Sequence, residues 1–317
     1  MTNKEVTVVI PLHNRFLIAD ECVMSVINQT YRPIELIIVD DHSGEVFVPK
    51  IRSESGFKVE IIRHDENKGP GASRESGRKI ARGDFIAYLD SDDLWHPENL
   101  EKQVEVLQMH PEAGMCYCVS TEFSAMPQTS SNKIRKRSNV SFQEFLPNIF
   151  NGRPWDTSAC LWTREASDLI GPWFCGWTWE DYAYDFKAGC EDILICHNPE
   201  TLCYHRVDSN NSQLSYTGRR QLMLNRAKSI LNMYADLRAS KNNNKPIIRD
   251  KLLKTIYDNA IHLFYLDEKE AGLELLEVLG SFPDFGKKLL VECCKFASPI
   301  LKSSTLGDTL YRLRIFF

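Results

Sequence analysis

Apolar and polar positions follow two different rhythms over the first hundred residues. Val6-Thr7-Val8-Val9-Ile10 is a short β-branched run closed by Pro11, as in a strand buried on both faces. After His13-Asn14-Arg15, the apolar positions Ala19, Cys22, Val23, Val26 and Ile27 recur at helical spacing. Three more runs read as strands: Glu35–Val39, Lys58–Ile62 and Asp84–Leu89. Between the last two, a helix is expected over about Ala72–Ala81, with Gly83 as its C-terminal cap. Strands alternating with helices predict a parallel α/β sheet whose ligand crevice lies at the carboxyl ends of the strands.

Beyond residue 98 the rhythm loosens. A helix (Leu100–Met109) and a strand (Gly114–Val119) are legible, and 126–139, rich in Ser, Lys and Arg, reads as a surface loop. From Arg219 on, only helical periods remain. Ala227, Ile230, Leu231, Tyr234 and Leu237 share one face, and Leu253, Ile256, Tyr257, Ala260 and Phe264 another, with 240–246 as the turn between them.

The chain has 317 residues, and 38 Lys and Arg against 43 Asp and Glu give a net charge of −5. That mild acidity argues against a nucleic-acid partner held by a general basic surface. No apolar run is long enough for a membrane-spanning helix, and the N-terminus enters a strand with no signal-peptide pattern. Cytosolic placement and reduced thiols are therefore expected for the ten cysteines. Cys116-x-Cys118 has no second pair at zinc-ligand spacing.

The chemistry-bearing residues follow the strands. Asp90-Ser91-Asp92-Asp93 places three mutually repelling carboxylates in four residues, which a hard cation such as Mg²⁺ or Mn²⁺ would relieve. The alternative is that Asp93 caps a following helix. Asp40-Asp41 ends the second strand in the same manner. Gly69-Pro70-Gly71-Ala72-Ser73-Arg74 superficially resembles a dinucleotide loop. It follows the third strand, however, and has Arg74 where the last glycine belongs, so a Rossmann dehydrogenase is not expected. Its turn amides could still receive an anion, and Arg74 a phosphate or the acidic cluster. Glu180-Asp181 follows an aromatic segment containing Trp155, Trp162, Trp173, Trp177 and Trp179. Aromatic rings beside acids suit a sugar site, while a helix start with acids at its positive end is the plainer account.

Five of these pieces in order resemble the inverting family 2 glycosyltransferases of the GT-A fold over residues 5–215. They are Val8–Asn14, Gln29–Tyr31 with Glu35–Ser43, Asn67–Arg74, Gly83–Asp93, and Glu180-Asp181. The resemblance implies a GT-A domain over 1–215, with a nucleotide-sugar half (1–97) and an acceptor half (98–215), followed by a helical extension over 216–317. It implies that Pro11, Leu12, His13 and Asn14 hold the uridine and ribose, and that Asp41 bonds the uracil ring nitrogen. Arg74 then lies near the base and diphosphate, and Asp90 towards the ribose. Asp92 binds the divalent metal, Mn²⁺ or Mg²⁺, and Asp181 is the base. Ser91, Trp179 and Glu180, inside or beside these motifs, are expected to contact substrate. Partial burial and its neighbour Glu180 are expected to raise the proton affinity of Asp181.

The chain departs from the family pattern twice. Glu75 replaces an Asn after the arginine, and Arg206-Val207-Asp208 replaces an Arg-x-His, so His205 is the expected further metal ligand, with Asp208 the alternative.

The implied reaction moves a sugar from a UDP-sugar to a saccharide acceptor, including one linked to a polyprenyl diphosphate, as in O-antigen or capsule synthesis. A nucleotidyltransferase would normally carry a basic Gly-rich loop after the first strand, which Pro11–Asn14 lacks. A non-catalytic nucleotide-sugar-binding module would not need Asp90, Asp92 and Asp181 together. In the tail from Gly286 to Phe317, six Lys and Arg alternate with apolar residues against only Glu292 and Asp308. That pattern suits a segment lying on the inner face of an anionic membrane, or a helix packed on the body or in a homodimer.

Overall fold

The computed structural model describes residues 4–50, 58–124, 133–207 and 218–280. The Lys- and Ser-rich stretch is thus described only from 133, and Asp208 and the basic tail lie outside the described residues. The described residues up to 207 belong to one compact unit and those from 218 to another.

The first unit is built on one eight-stranded sheet. Its strands are β1 (Val6–Leu12), β2 (Ile34–Asp40), β3 (Lys58–Arg63), β4 (Phe85–Tyr88), β5 (Leu94–Trp95), β6 (Ala113–Phe123), β7 (Cys160–Thr163) and β8 (Leu194–Arg206). Their order across the sheet is β3-β2-β1-β4-β7-β6-β8-β5. The first four strands are mutually parallel, as the alternation predicts. The sheet then turns mixed, because β7 runs antiparallel to both β4 and β6. β1 runs through Pro11 instead of stopping at it. Pairing with β4 ends at Val9 opposite Tyr88, so the missing proline N–H costs no ladder bond on that side.

Helices cover the sheet. α1 (Phe16–Ile27) buries Ala19, Cys22, Val23 and Val26, the positions its periodicity marks. Together with Leu100, Val104 and Leu107 of α3 (Asn99–Met109), they join Val6, Val8 and Ile10 in one apolar cluster. α2 (Pro70–Ile80) packs so closely that a Cβ at Gly77 would meet Val9 at 2.3 Å. Gly83 is not the cap of α2, which ends on Ala81. A Cβ at Gly83 would meet the backbone of Thr7 and Glu5 within 3 Å, so close approach to β1 requires this glycine. Two further helices, α4 (Arg164–Ile170) and α5 (Glu180–Cys190), follow among its described residues.

The second unit contains α6 (Arg219–Ala239), α7 (Pro246–Tyr265) and α8 (Lys269–Gly280). Ala227, Ile230 and Leu237 are buried as their spacing predicts, with Met223 and Met233 completing the α6 face. Ser240 Oγ accepts the Asn242 N–H (3.0 Å) and ends α6, after which Pro246 opens α7. No described helix is long and apolar enough to cross a membrane. No disulfide joins the described cysteines.

Candidate active site

The polar segments that follow β1, β2, β3 and β4 gather at the carboxyl edge of the parallel strands. At the end of β1 the Leu12 side chain enters the core, and its carbonyl accepts the Asp41 N–H (2.7 Å). His13 and Asn14 are exposed. His13 Nδ1 meets the Asp41 carbonyl (2.8 Å), and Asn14 receives the Gly44 N–H (3.0 Å) while its own N–H donates to Ser43 (2.8 Å). Asn14 and Arg15 both have left-handed backbones, φ 57° and 58°, which turns the chain sharply into α1.

Asp41 is placed differently from a residue awaiting a base. Its carboxylate is buried and accepts the N–H groups of Lys68 (2.9 Å) and Gly69 (2.7 Å), with His64 Nδ1 at 2.7 Å. Two amides of the glycine turn are thus already occupied by an internal anion. Gly69, at φ 88°, supplies the left-handed bend that aims them there. His64, which no sequence motif marks, is fixed in turn by Ser76 (2.8 Å).

Arg74 does reach the acidic cluster. From α2 its guanidinium donates to Asp90 (2.6 Å) and Glu180 (2.7 Å) and lies 5.0 Å above the Trp173 ring. One buried cation therefore joins the turn after β4 to the first turn of α5. The neighbouring Glu75 is also accounted for: it pairs with Arg78 (2.8 Å) and accepts the Trp173 N–H (3.0 Å). It supports the wall behind Arg74.

In the turn after β4, Asp90, Ser91 and Asp92 are half-buried. Asp92 pairs with Arg15 at 3.1 Å. Its proton affinity is pushed up to about 7, by burial first and then by Asp93 and Asp90, against the pull of His205 and Arg15. Asp93 is not a helix cap: the two-residue strand β5 follows it. Its carboxylate accepts Ser158 Oγ (2.6 Å) and the Arg206 N–H (3.1 Å), and pairs with His205 Nδ1 (3.1 Å). His205 is raised to about 9: burial opposes its charge, but Asp93 and Asp156 outweigh burial. At neutral pH it is therefore a cation paired to Asp93. Among the described residues no group of three or more His, Cys, Asp and Glu is disposed around a common metal position.

Glu180 and Asp181 open α5, as the helix-start reading expects. Trp179, with φ 61°, precedes them and stacks on Tyr182 with ring centres 4.8 Å apart. The expected rise in proton affinity falls on Glu180, not Asp181. Burial and then Asp181 raise Glu180, although Arg74 opposes them. Burial also pushes Asp181 upward, but Arg153, Lys136 and Arg74 overcome it and hold the carboxyl below its usual range. Sequence reasoning missed Arg15, Arg153 and Lys136 as partners of these acids. Lys136 sits in a polar segment and Arg153 in Gly-Arg-Pro-Trp, where no periodicity or motif marks them.

The chain is similar to known proteins in sequence and in fold. The model of the family described as "Glycosyl transferase family 2" matches residues 7–168, just over half of the chain. An uncharacterized glycosyltransferase of Haemophilus influenzae is 34% identical over 201 residues, which span 61% of this chain and 76% of the relative. The Escherichia coli UDP-Glc:alpha-D-GlcNAc-diphosphoundecaprenol beta-1,3-glucosyltransferase WfgD is 32% identical over 102 residues, 32% of this chain and 40% of that one. In three further relatives the match spans 37%, 18% and 17% of their length. Among solved structures, S. aureus TarS 1–349 in complex with UDP-GlcNAc superposes with a TM-score of 0.71 at 15% identity, covering 98% of this chain and 91% of that one. The likeness to TarS is one of fold.

Proposed function

This chain belongs to glycosyl transferase family 2, and on that premise we propose that it transfers a sugar from a UDP-sugar to an acceptor hydroxyl with inversion at the anomeric carbon. The observation that carries the reading is Arg74, which holds Asp90 and Glu180 on one guanidinium and so brings a diphosphate-type acidic turn beside a second carboxylate pair. Asp181 takes the proton of the acceptor hydroxyl. The freed oxygen pair attacks the anomeric carbon, and the bond to the diphosphate breaks, releasing UDP. Oδ2 of Asp181 already receives Arg153 Nη1 (2.5 Å) and Thr157 Oγ1 (3.3 Å), whereas among the described residues Oδ1 receives the Tyr182 N–H alone (2.7 Å). Oδ1 is thus the oxygen with room for the incoming proton.

Pro11, His13, Asn14 and the Leu12 backbone form the rim for the uridine and ribose. Asp41 acts there by holding the 67–69 turn against that rim. Trp179 offers a ring face to a sugar.

The donor set suits a hard divalent cation, Mn²⁺ or Mg²⁺. Asp92 and Asp90 are half-buried carboxylates of one turn, and such cations commonly take only one or two carboxylates plus substrate phosphates. Bound there, the cation would offset the charge of the departing diphosphate. Arg15 and Arg74, which now face those carboxylates, are near enough to share that task. His205 contributes from the edge of the cluster by neutralising Asp93.

A lipid-diphosphate-linked saccharide, as in surface-polysaccharide synthesis, is the acceptor class we favour, since WfgD carries such an acceptor in its name. The basic, apolar tail from Gly286 would then lie on the membrane that holds it.

The test is UDP release from UDP-glucose, UDP-galactose and their N-acetyl forms, with water alone and with diphosphoundecaprenol-linked saccharides, with and without Mn²⁺. Release by one donor, increased by acceptor and Mn²⁺, is expected. Asp92→Ala should lower UDP affinity in Mn²⁺ by about 10–100-fold. Equal UDP binding by wild type and Asp92→Ala with and without Mn²⁺ would remove the metal from the reading.

A further inference from the structure

Arg153 has no part in any motif, yet it is one of the most enclosed charges in the molecule, with its side chain 6% exposed. Its Nη1 donates to Asp181 at 2.5 Å and its Nε to Asp185. Asp181 and Asp185 are four residues apart on α5, one above the other on a single face. Asp185 is sealed in, with its side chain 1% exposed, and also accepts Trp155 Nε1 at 2.8 Å. It cannot meet a substrate. Asp181 is only half-buried, its side chain 29% exposed. The guanidinium therefore has one arm anchored in the interior and one on the carboxylate that faces the crevice.

We propose that Arg153, anchored by Asp185 and Trp155, is the positioning residue of the base, a buried clamp that fixes Asp181 so that Oδ1 is presented to the acceptor hydroxyl. This rests on the reading of Asp181 as the base.

Glue between the 148–155 segment and α5 would be a simpler purpose. Glue needs no such charges, because apolar residues of similar volume commonly stabilise as well as a buried ion triad. The clamp also fills the Asp181 oxygen that is not left for the proton, a choice that matters for geometry more than for cohesion.

The charge of Arg153 has a second effect. Asp181 faces Arg153, Lys136 from the 133–137 segment, Arg74 from α2, Thr157 from the turn before β7, and Glu180 and Asp185 on its own helix. The cations hold its proton affinity low against burial. Without Arg153, burial and the two neighbouring carboxylates push it upward, so the ionised base is lost at higher pH.

The experiment is the pH dependence of kcat and KM for Arg153→Met, Arg153→Lys and Asp185→Asn in the full chain, read as UDP released to water from UDP-N-acetylglucosamine or UDP-glucose. Arg153→Met should lose about 100-fold in kcat at pH 7, keep KM for the donor within about threefold, and move the acid limb up by about one pH unit or more. Arg153→Lys should return the limb towards its original position while recovering only part of kcat. Asp185→Asn, the milder change should Arg153→Met not fold, should lower kcat by about 3–10-fold with donor KM unchanged. Carboxyl ¹³C titration of Asp181, assigned by its loss in Asp181→Asn, reads the same shift without turnover. A folded Arg153→Met with an unshifted acid limb and an unshifted Asp181 titration overturns the clamp. Wild-type turnover in Asp181→Asn is a different result, which overturns the base assignment beneath it.

Discussion

The two acidic clusters of the crevice meet on Arg74 and are charged in opposite ways. In the turn after β4, three carboxylates face one cation each from separate elements, Arg74, Arg15 and His205. Asp92 nevertheless keeps a proton affinity near neutrality, about 7, because burial and its two acidic neighbours outweigh those partners. At the start of α5, two adjacent carboxylates are driven apart: Glu180 upward, Asp181 downward. The first cluster is short of positive charge, which is what the proposed cation would supply. The second brings its own cations, which hold one of its two carboxyls below the usual range. Pairs pushed apart in this way are a common means of dividing acid and base roles between like side chains.

The contrast can be broken most severely at Asp181. Asp181→Asn keeps the shape but cannot hold a proton at the same oxygen, so UDP release should fall by about 10³-fold or more while UDP affinity stays within about twofold, measured by calorimetry. Removing the cation shared by both clusters should cost fold stability. Arg74→Met leaves Glu180 buried without its cation, and urea unfolding should show a loss of about 3 kcal/mol, the low end for a broken buried pair because burial raises the proton affinity of Glu180 and eases its neutralisation.

A smaller effect sharpens the first cluster alone. The folded-state proton affinity of His205, raised to about 9, exceeds its unfolded value of about 6.5. Its contribution to stability is thus complete below pH 6.5 and lost as pH rises through 9. The stability gap between wild type and His205→Gln should shrink by about 1–2 kcal/mol from pH 6 to pH 10, followed by thermal unfolding. A gap that stays constant across that range would mean His205 acts by packing.

The same two regions differ in how much of them the sequence reveals. β1, β2 and β4 are legible because burial on both faces writes them as continuous apolar runs, and the turns that follow carry their acids within a few residues. The cap alternative for Asp93 fails because its partners Ser158, His205 and Arg206 come from 65 to 113 residues away, beyond any local rule. β5 has two residues and exists only through pairing with β8. The partners of Asp181 are missed for the same reason. Lys136 and Arg153 belong to segments without helical or strand period, and the apolar environment that makes their charge matter is assembled by the sheet. Gly83 shows the converse: its spacing after a helix suggests a cap, while its need is set by a strand 76 residues earlier.

On the proposed reading of the rim as the nucleotide site, the carboxylate of Asp41, seated on the amides of Lys68 and Gly69, has a consequence for how fast a nucleotide would dock. A turn that waited for a ligand phosphate would have to be organised at each encounter, and its ordering entropy would be charged against every association. Here the ordering is done during folding by a side chain of the same molecule. The rim is preorganised, so nucleotide capture on that side should follow single-step kinetics with no slow isomerisation.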